Sequence, residues 1–141
     1  MQWLPNFIML KKKEIRVSRT KSSELLFQCL TNQPNKVKAV VSASAIGWYG
    51  PDNGKAFTEN DPAADDFLGQ TCKSWEESID KVEARGKRLV KLRLGIALSN
   101  EGGALVEFKR PARLGVAAIL GSGSQMVSWV HIDDLCRAFI H

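Results

Sequence analysis

The stretch that most limits the fold runs from Val40 to Gly50 and reads Val-Val-Ser-Ala-Ser-Ala-Ile-Gly-Trp-Tyr-Gly. It begins with apolar, β-branched residues, becomes small and polar at Ser42 and Ser44, and ends in two aromatic residues between glycines. This order is typical of a buried strand that ends at the carboxyl edge of a parallel sheet, where open α/β folds bind their ligands. The stretch therefore predicts a ligand site, but it does not identify a reaction.

The rest of the pattern alternates between helices and short apolar strands. Helices are predicted at residues 10–32, from a cap at Asp65 or Asp66 to Gly86, at Ala104–Lys109 before Pro111, and after a cap at Asp133 or Asp134. Strands are predicted at residues 37–43, Arg88–Ile96 and Val127–His131, with a long loop over Ile46–Asp66. Such an alternation predicts an α/β fold with a parallel sheet and crossover helices.

Two helical faces are predicted to be apolar and to pack in the core. The first lies at the end of the first helix and comprises Leu25, Leu26, Cys29 and Leu30. The second lies on the second helix and comprises Leu68, Cys72, Trp75, Ile79 and Val82. A spacing of three and four residues places the members of the second set on one side of the helix.

Charge is distributed unevenly along the 141 residues, although the length itself suits one domain with a buried core. Residues 1–60 carry nine Lys and Arg against four Asp and Glu, whereas residues 61–141 carry eleven of each. A solvated helix face around residues 11–21 is the preferred explanation, and a nucleic-acid contact is the alternative. No apolar run approaches the roughly 20 residues of a membrane span and no signal peptide is evident, so a cytoplasmic protein without membrane contact is expected.

The three cysteines, Cys29, Cys72 and Cys136, are far apart in the sequence. The absence of a C-x-x-C pair argues against a zinc site or a disulfide framework. Cys29 and Cys136 lie among apolar residues and are predicted to be small core residues. Cys72 is a less favoured candidate nucleophile, because no histidine is nearby in the sequence.

Polar side chains at the predicted strand ends are the candidates for chemistry. The hydroxyls of Ser42, Ser44 and Tyr49 can polarise a carbonyl or relay a proton, although local sequence favours a turn whose hydroxyls bond to their own backbone. Arg93 lies in an apolar strand, and a buried guanidinium needs an anion or several acceptors. A ligand and an internal carboxylate are equally good candidates for that anion.

Two further motifs near the end of the chain are weaker. The glycines of Gly121-Ser-Gly123 can cradle a phosphate, but a strand rather than a helix is predicted to follow them. His131 and Asp133 lack further candidate ligands, since His141 is the only other histidine, and no metal site is predicted.

Six segments in order resemble an atypical branch of the extended short-chain dehydrogenase/reductases, the NAD-dependent epimerase/dehydratase-like proteins. They are Ser18–Leu26, Ser42–Gly50, Asp66–Leu68 with Cys72–Glu76, Leu92–Leu98, Gly102–Leu105, and Gly121–Gln125 with Ser128–Asp134. The resemblance implies a partial Rossmann-like sheet with flanking helices, and a single partial NAD(P)-binding domain over residues 1–141. It places Ser44 at the catalytic hydroxyl position and gives Tyr49 a structural role. It places Ser42, Arg93 and Gly95 along the cofactor, and Gln125, Trp129 and His131 beside the substrate.

The sequence also departs from that family. It has no G-x-x-G-x-x-G loop, and Leu68 and Cys72 occupy the positions of the usual catalytic tyrosine and lysine. The chain is therefore expected to be a piece of an NAD(P)-dependent epimerase or oxidoreductase whose complete form binds NADP or NAD, with weak or no binding by this chain alone. The alternative is a non-catalytic module that senses a cofactor or binds a protein. Exposed sheet edges favour self-association, the small-molecule substrate is not identified, and nucleic-acid binding is not expected.

Overall fold

The computed structural model describes residues 3–116, 122–124 and 126–141, with the backbone alone for residues 3–8. The helices are α1 (Trp3–Asn32), α2 (Phe67–Asp80), α3 (Ala104–Ala112) and α4 (Ile132–Ile140). The strands are β1 (Ala39–Ala45), β2 (Arg88–Leu94), β3 (Ile96–Leu98) and β4 (Trp129–His131). β1 is hydrogen-bonded to β2, and β3 pairs with β4 in parallel. The predicted α/β class is confirmed.

The chain divides into two compact units. The first unit comprises Met1–Pro51 and Ala56–Arg93, and the second comprises Asp52–Lys55 and Leu94–His141. None of the helices in the described residues combines the length and the apolar character that crossing a bilayer requires.

The core of the first unit lies between β1, α2 and the last turns of α1. Val40, Ile79 and Val82 are buried there, and three partly buried residues pack against them: Phe27, Leu30 and Leu89. Of the predicted apolar end of α1, Leu30 packs as expected, whereas Leu25, Leu26 and Cys29 are exposed. The inward side of α1 instead follows Ser23, Phe27 and Leu30, whose spacing of four and three excludes Cys29.

α1 is also longer than predicted, because it starts at Trp3 rather than at residue 10. Pro5 does not prevent this start. The first four N–H groups of a helix have no intrahelical acceptor, so a proline there removes no hydrogen bond.

β1 is shifted by two residues relative to the prediction of 37–43. The side chain of Asn35 accepts from the backbone N–H of Val37 (3.3 Å), which keeps that residue in a turn before the strand. As a result Ser42 and Ser44 lie within the strand, and its alternation places both on the same face as buried Val40.

α2 begins as predicted. The Asp66 side chain caps it by accepting from the backbone N–H of Gly69 at 2.7 Å. The helix ends at Asp80, and a short 3₁₀ turn at Glu83–Arg85 leads to Gly86, whose φ of 69° is left-handed. Its predicted apolar face is buried at Cys72, Ile79 and Val82, but Leu68 is exposed.

The predicted strand over Arg88–Ile96 is interrupted at Gly95, which separates β2 from β3. A Cβ atom on Gly95 would lie 2.4 Å from the carbonyl oxygen of Ser128, so the two backbones approach more closely than any side chain permits. The next residue, Ile96, donates its N–H to that same carbonyl at 2.8 Å. From there β3 follows β4 in register, with Ile96 opposite Trp129.

The helices of the second unit differ from prediction at their ends. α3 continues through Pro111, because a proline in the last turn removes only one intrahelical bond and Arg113 N–H still reaches the Lys109 carbonyl (3.0 Å). α4 is capped by His131 rather than by Asp133 or Asp134.

No described residue of the second unit is buried. Cys136 is exposed, so its predicted core position is wrong. The main contacts of α4 among the described elements are with β3 and β4, which are three residues long each. β4 is also two residues shorter than the predicted strand. The apolar patch beyond Val116, Gly121 of the glycine motif, and Gln125 lie outside the described residues.

Candidate functional site

A buried carboxylate, Glu76, is the centre of the polar cluster in the first unit. Its side chain projects from α2 and the residue is 3% exposed. Arg93 on β2 donates from Nε to Glu76 Oε1 (2.9 Å) and from Nη2 to Oε2 (3.1 Å). This two-point contact is the strongest geometry for an arginine–carboxylate pair. The anion that Arg93 needs is thus an internal carboxylate, one of the two candidates left open by the sequence.

Ser44 binds the same carboxylate from β1. Its hydroxyl donates to Glu76 Oε1 at 2.6 Å, and the residue is 2% exposed. A serine has a single O–H proton, so this bond occupies its donor capacity. The cluster therefore ties together β1, α2 and β2.

The charges of the cluster reinforce each other. Burial opposes ionisation of Glu76, but hydrogen bonds from Arg93 and Ser44, with the charges of Arg93 and Lys91, outweigh it and lower the pKa of the carboxyl. The hydrogen bond to Glu76 correspondingly raises the pKa of Arg93 against the opposing effect of burial. Both groups are ionised at neutral pH.

The other edge of the Arg93 guanidinium contacts the segment that follows β1. Nη1 donates to the hydroxyl of Tyr49 (3.0 Å) and to the carbonyl of Glu59 (3.1 Å). The group also stacks over the ring of Trp48 at 3.8 Å. Tyr49 in turn stacks on Phe57, with ring centroids 5.1 Å apart. Arg93 thereby links the buried carboxylate to a half-buried aromatic surface.

Backbone contacts hold the end of the predicted long loop beside this surface. The indole N–H of Trp48 donates to the Asp61 carbonyl (2.9 Å), and Ala64 N–H donates to the Trp48 carbonyl (2.7 Å). Hydrogen bonds from the backbone and side chain of Thr58 lower the pKa of Asp61. The part of the loop that belongs to the first unit is therefore ordered by specific bonds.

Leu68 and Cys72, which the resemblance places at the usual tyrosine and lysine positions, are the next candidates. Leu68 is exposed and apolar, and Cys72 is buried. Burial raises the pKa of the Cys72 thiol, which keeps it protonated at neutral pH and argues against a nucleophile.

Ser42 is half-buried, and its hydroxyl donates to the Ala43 carbonyl at 3.2 Å. This bond to local backbone agrees with the predicted alternative, although Ser42 lies in β1 rather than in a turn. It lines a cavity of about 210 Å³. Ligand sites usually enclose roughly 300–1,000 Å³, so this cavity is smaller than a typical ligand pocket.

The structure brings together Ser44 and Arg93 and places Gly95, Trp129 and His131 in the second unit. Trp129 is exposed on β4, and His131 Nδ1 accepts from the backbone N–H of Asp133 at 3.3 Å. None of the described residues forms a group of three or more His, Cys, Asp and Glu that would hold a metal ion.

Glu76 was not among the site residues predicted from the sequence. A signal was present, because position 76 lies between Cys72 and Ile79 at helical spacing and so falls on the inward side of α2. A carboxylate there, with an arginine in an apolar strand, predicts a buried ion pair.

No protein-family model matches the chain. An epimerase family protein of Staphylococcus saprophyticus is 40% identical over 131 residues, which are 92% of this chain and 44% of that protein. One of Staphylococcus aureus is 37% identical over 140 residues, which are 99% of this chain and 45% of that protein. The resemblance to the epimerase-like family is confirmed. The chain spans less than half the length of these curated relatives.

Two solved structures share the fold. A nucleoside-diphosphate sugar epimerase of Corynebacterium glutamicum has a TM-score of 0.79 and 35% identity, over 92% of this chain and 28% of that one. The human epimerase family protein SDR39U1 (isoform 2), solved with NADPH, has a TM-score of 0.79 and 32% identity, over 89% of this chain and 43% of that one. These neighbours confirm the predicted Rossmann-like character of the α/β fold.

Proposed function

We propose that this chain forms part of an NAD(P)-dependent, epimerase-like oxidoreductase. The observation that carries the proposal is the fold match to a protein solved with NADPH, at 32% identity over 89% of this chain. The polar cluster agrees with it, because Ser44, Arg93 and Tyr49 meet where β1 ends, at the kind of edge where open α/β folds bind ligands.

The described residues do not form a complete dinucleotide site by themselves. The hydroxyl of Ser44 and all three nitrogens of the Arg93 guanidinium are bonded within the first unit, and the backbone of Gly95 lies against Ser128. The sequence also lacks the glycine loop whose N–H groups bind a pyrophosphate. NADP or NAD would therefore be held largely by residues outside this chain.

Within such a protein, the chain would supply a preorganised edge for the substrate. The Arg93–Glu76 pair fixes the end of β1 and the aromatic surface after it, so hydroxyl groups there need little reorganisation to bind an oxygen. Ser44 and Tyr49 are the two candidate hydroxyls in the cluster. Ser42 and Gly95 remain candidates for the cofactor side, and Gln125, Trp129 and His131 for the substrate side.

Calorimetric titration with NADPH tests this proposal. The full-length relative from Staphylococcus aureus should bind NADPH, and this 141-residue chain should bind it at least tenfold more weakly or not measurably. Failure of the relative to bind NADPH would remove the proposed cofactor. Equally tight binding by the chain would show that its own residues suffice.

A non-catalytic module that senses a cofactor or binds a protein is the second candidate. It is supported by Leu68 and Cys72, which cannot replace the usual tyrosine and lysine, and by the sealed position of Ser44. It predicts that the full-length relative binds NADPH without oxidising it. Substrate-dependent loss of the nicotinamide absorbance would exclude this candidate.

A further inference from the structure

Tyr49 is the only tyrosine in the sequence, and it ends the 3₁₀ turn Ile46–Tyr49 directly after β1. Its phenolic oxygen accepts a hydrogen bond from Arg93 Nη1 at 3.0 Å. Among the described residues no acceptor is bonded to the phenolic O–H itself. Because a phenol both donates and accepts, Tyr49 retains a free proton to donate.

Ser44 has the opposite arrangement. Its proton is donated to Glu76, and the residue is almost completely buried, whereas Tyr49 is half-buried. Donation from Ser44 to a ligand would require breaking a 2.6 Å bond to a carboxylate inside the protein. Tyr49 can donate without breaking any hydrogen bond to the residues that the structure describes.

Neighbouring side chains also hold the Tyr49 hydroxyl in place. Its ring stacks on Phe57 with an interplanar angle of 18°. Arg93, which bonds the hydroxyl, is itself held by both oxygens of Glu76 and by the ring of Trp48. A donor held by packed and hydrogen-bonded neighbours is preorganised for an incoming oxygen.

We propose that Tyr49, rather than Ser44, is the hydroxyl that contacts the substrate, and that it donates a hydrogen bond to a carbonyl or hydroxyl oxygen of a sugar-like ligand. The choice of a sugar-like ligand rests on the proposed function. The choice of Tyr49 rests on the geometry of the first unit. Arg93 keeps the phenolic oxygen in place, and Glu76 keeps Arg93 in place.

Fluorine NMR of the 141-residue chain labelled with 3-fluorotyrosine tests the contact, because one tyrosine gives one resonance. UDP-glucose is the probe, since one structural neighbour is described as a nucleoside-diphosphate sugar epimerase. The resonance should shift saturably with UDP-glucose. A resonance that does not move up to the solubility limit of the probe would overturn the proposal.

Two variants distinguish the contribution of the Tyr49 hydroxyl to binding from that of the Ser44 hydroxyl. Tyr49→Phe keeps the ring stacked on Phe57 and should weaken UDP-glucose binding about tenfold by calorimetry, because the donor to the ligand is lost. The variant also removes the acceptor for Arg93 Nη1, which keeps its hydrogen bond to the Glu59 carbonyl. Ser44→Ala, with folding verified by its melting transition, should weaken binding less than about threefold. A larger loss for Ser44→Ala than for Tyr49→Phe would reverse the assignment.

The outcome is independent of the NADPH titration described above. If UDP-glucose contacts Tyr49 but the full-length relative does not bind NADPH, this inference holds and the proposed oxidoreductase function fails. If the relative binds NADPH but the tyrosine resonance of this chain does not move, the proposed function holds and this inference fails.

Discussion

In the first unit the side chains of Ile79 and Val82 are 1% and 0% exposed, whereas in the second unit Trp129 and Ile140 are 62% and 82% exposed. Both units contain helices, paired strands and apolar residues at regular spacing. In the first unit α1 packs on α2, and α2 packs on the seven-residue strand β1, whereas in the second α3 and α4 contact strands of three residues. An apolar face is thus buried only where a second layer covers it.

The ion pairs of the two units differ in the same way. Arg93 and Glu76 form a largely buried pair in the first unit, while Arg110 and Glu107 form an exposed pair on α3 in the second. Exposed pairs contribute roughly 0–1 kcal/mol, because water and salt screen them. Loss of one partner from a buried pair is far more damaging, since the other charge remains without a counter-ion.

The largest expected effect that tests this comparison is a cavity in the first core. Ile79→Ala should lower the free energy of unfolding by roughly 2–5 kcal/mol, through lost burial and the space left behind. Ile140→Ala in the second unit is the matched control and should change it by less than about 0.5 kcal/mol. Urea denaturation measures both. Similar losses for the two variants would contradict the difference in burial.

Removal of the buried carboxylate should have the next largest effect. Glu76→Ala leaves Arg93 without its anion and should destabilise the first unit by about 3 kcal/mol. The adjacent Glu77→Ala removes an exposed carboxylate, 4.0 Å from Lys73, and should be within about 0.5 kcal/mol of the parent. Denaturation followed by tryptophan fluorescence distinguishes them, because Trp48 lies over Arg93. Equal effects would show that the cluster contributes no more than a surface pair.

Acid should reduce the contribution of the same pair more gradually. The folded-state pKa of Glu76 lies below its reference of 4.5, so its stabilising effect is complete above that pH and is lost as pH falls through the lowered value. The difference in unfolding free energy between the parent chain and Glu76→Gln should therefore shrink below pH 4.5. Measuring the difference cancels the other carboxyl groups, including Asp61. A difference that is constant down to low pH would mean that Glu76 does not titrate as inferred.

The sequence predicted the elements whose signals are local. α2 has a capping aspartate at Asp66 and apolar residues at helical spacing, and both features appear in the structure. The strand before the Gly-Trp-Tyr-Gly motif was also found, although Asn35 shifts its start. The ordered segments led to the epimerase-like resemblance, which the relatives confirm.

Features that depend on distant partners were not predictable in the same way. The strand is interrupted at Gly95 because the backbone of Ser128 approaches it closely. The sequence near Gly95 does not indicate this contact. Arg93 needed an anion, and the inward position of Glu76 on α2 makes it one candidate among the eleven acidic residues between 61 and 141. The packing of α2 on the sheet is what brings the Glu76 carboxylate to Arg93. The exposure of Cys29 and Cys136 likewise reflects faces that no second layer covers.

Those two cysteines provide labelling sites in the native chain. Cys29 is an exposed thiol in the first unit and Cys136 is an exposed thiol in the second, while Cys72 is buried. Thiol-specific dyes or spin labels will therefore attach to one site in each unit without any engineered cysteine. The native chain can therefore carry one reporter in each unit, so that the distance between the two reporters can be measured.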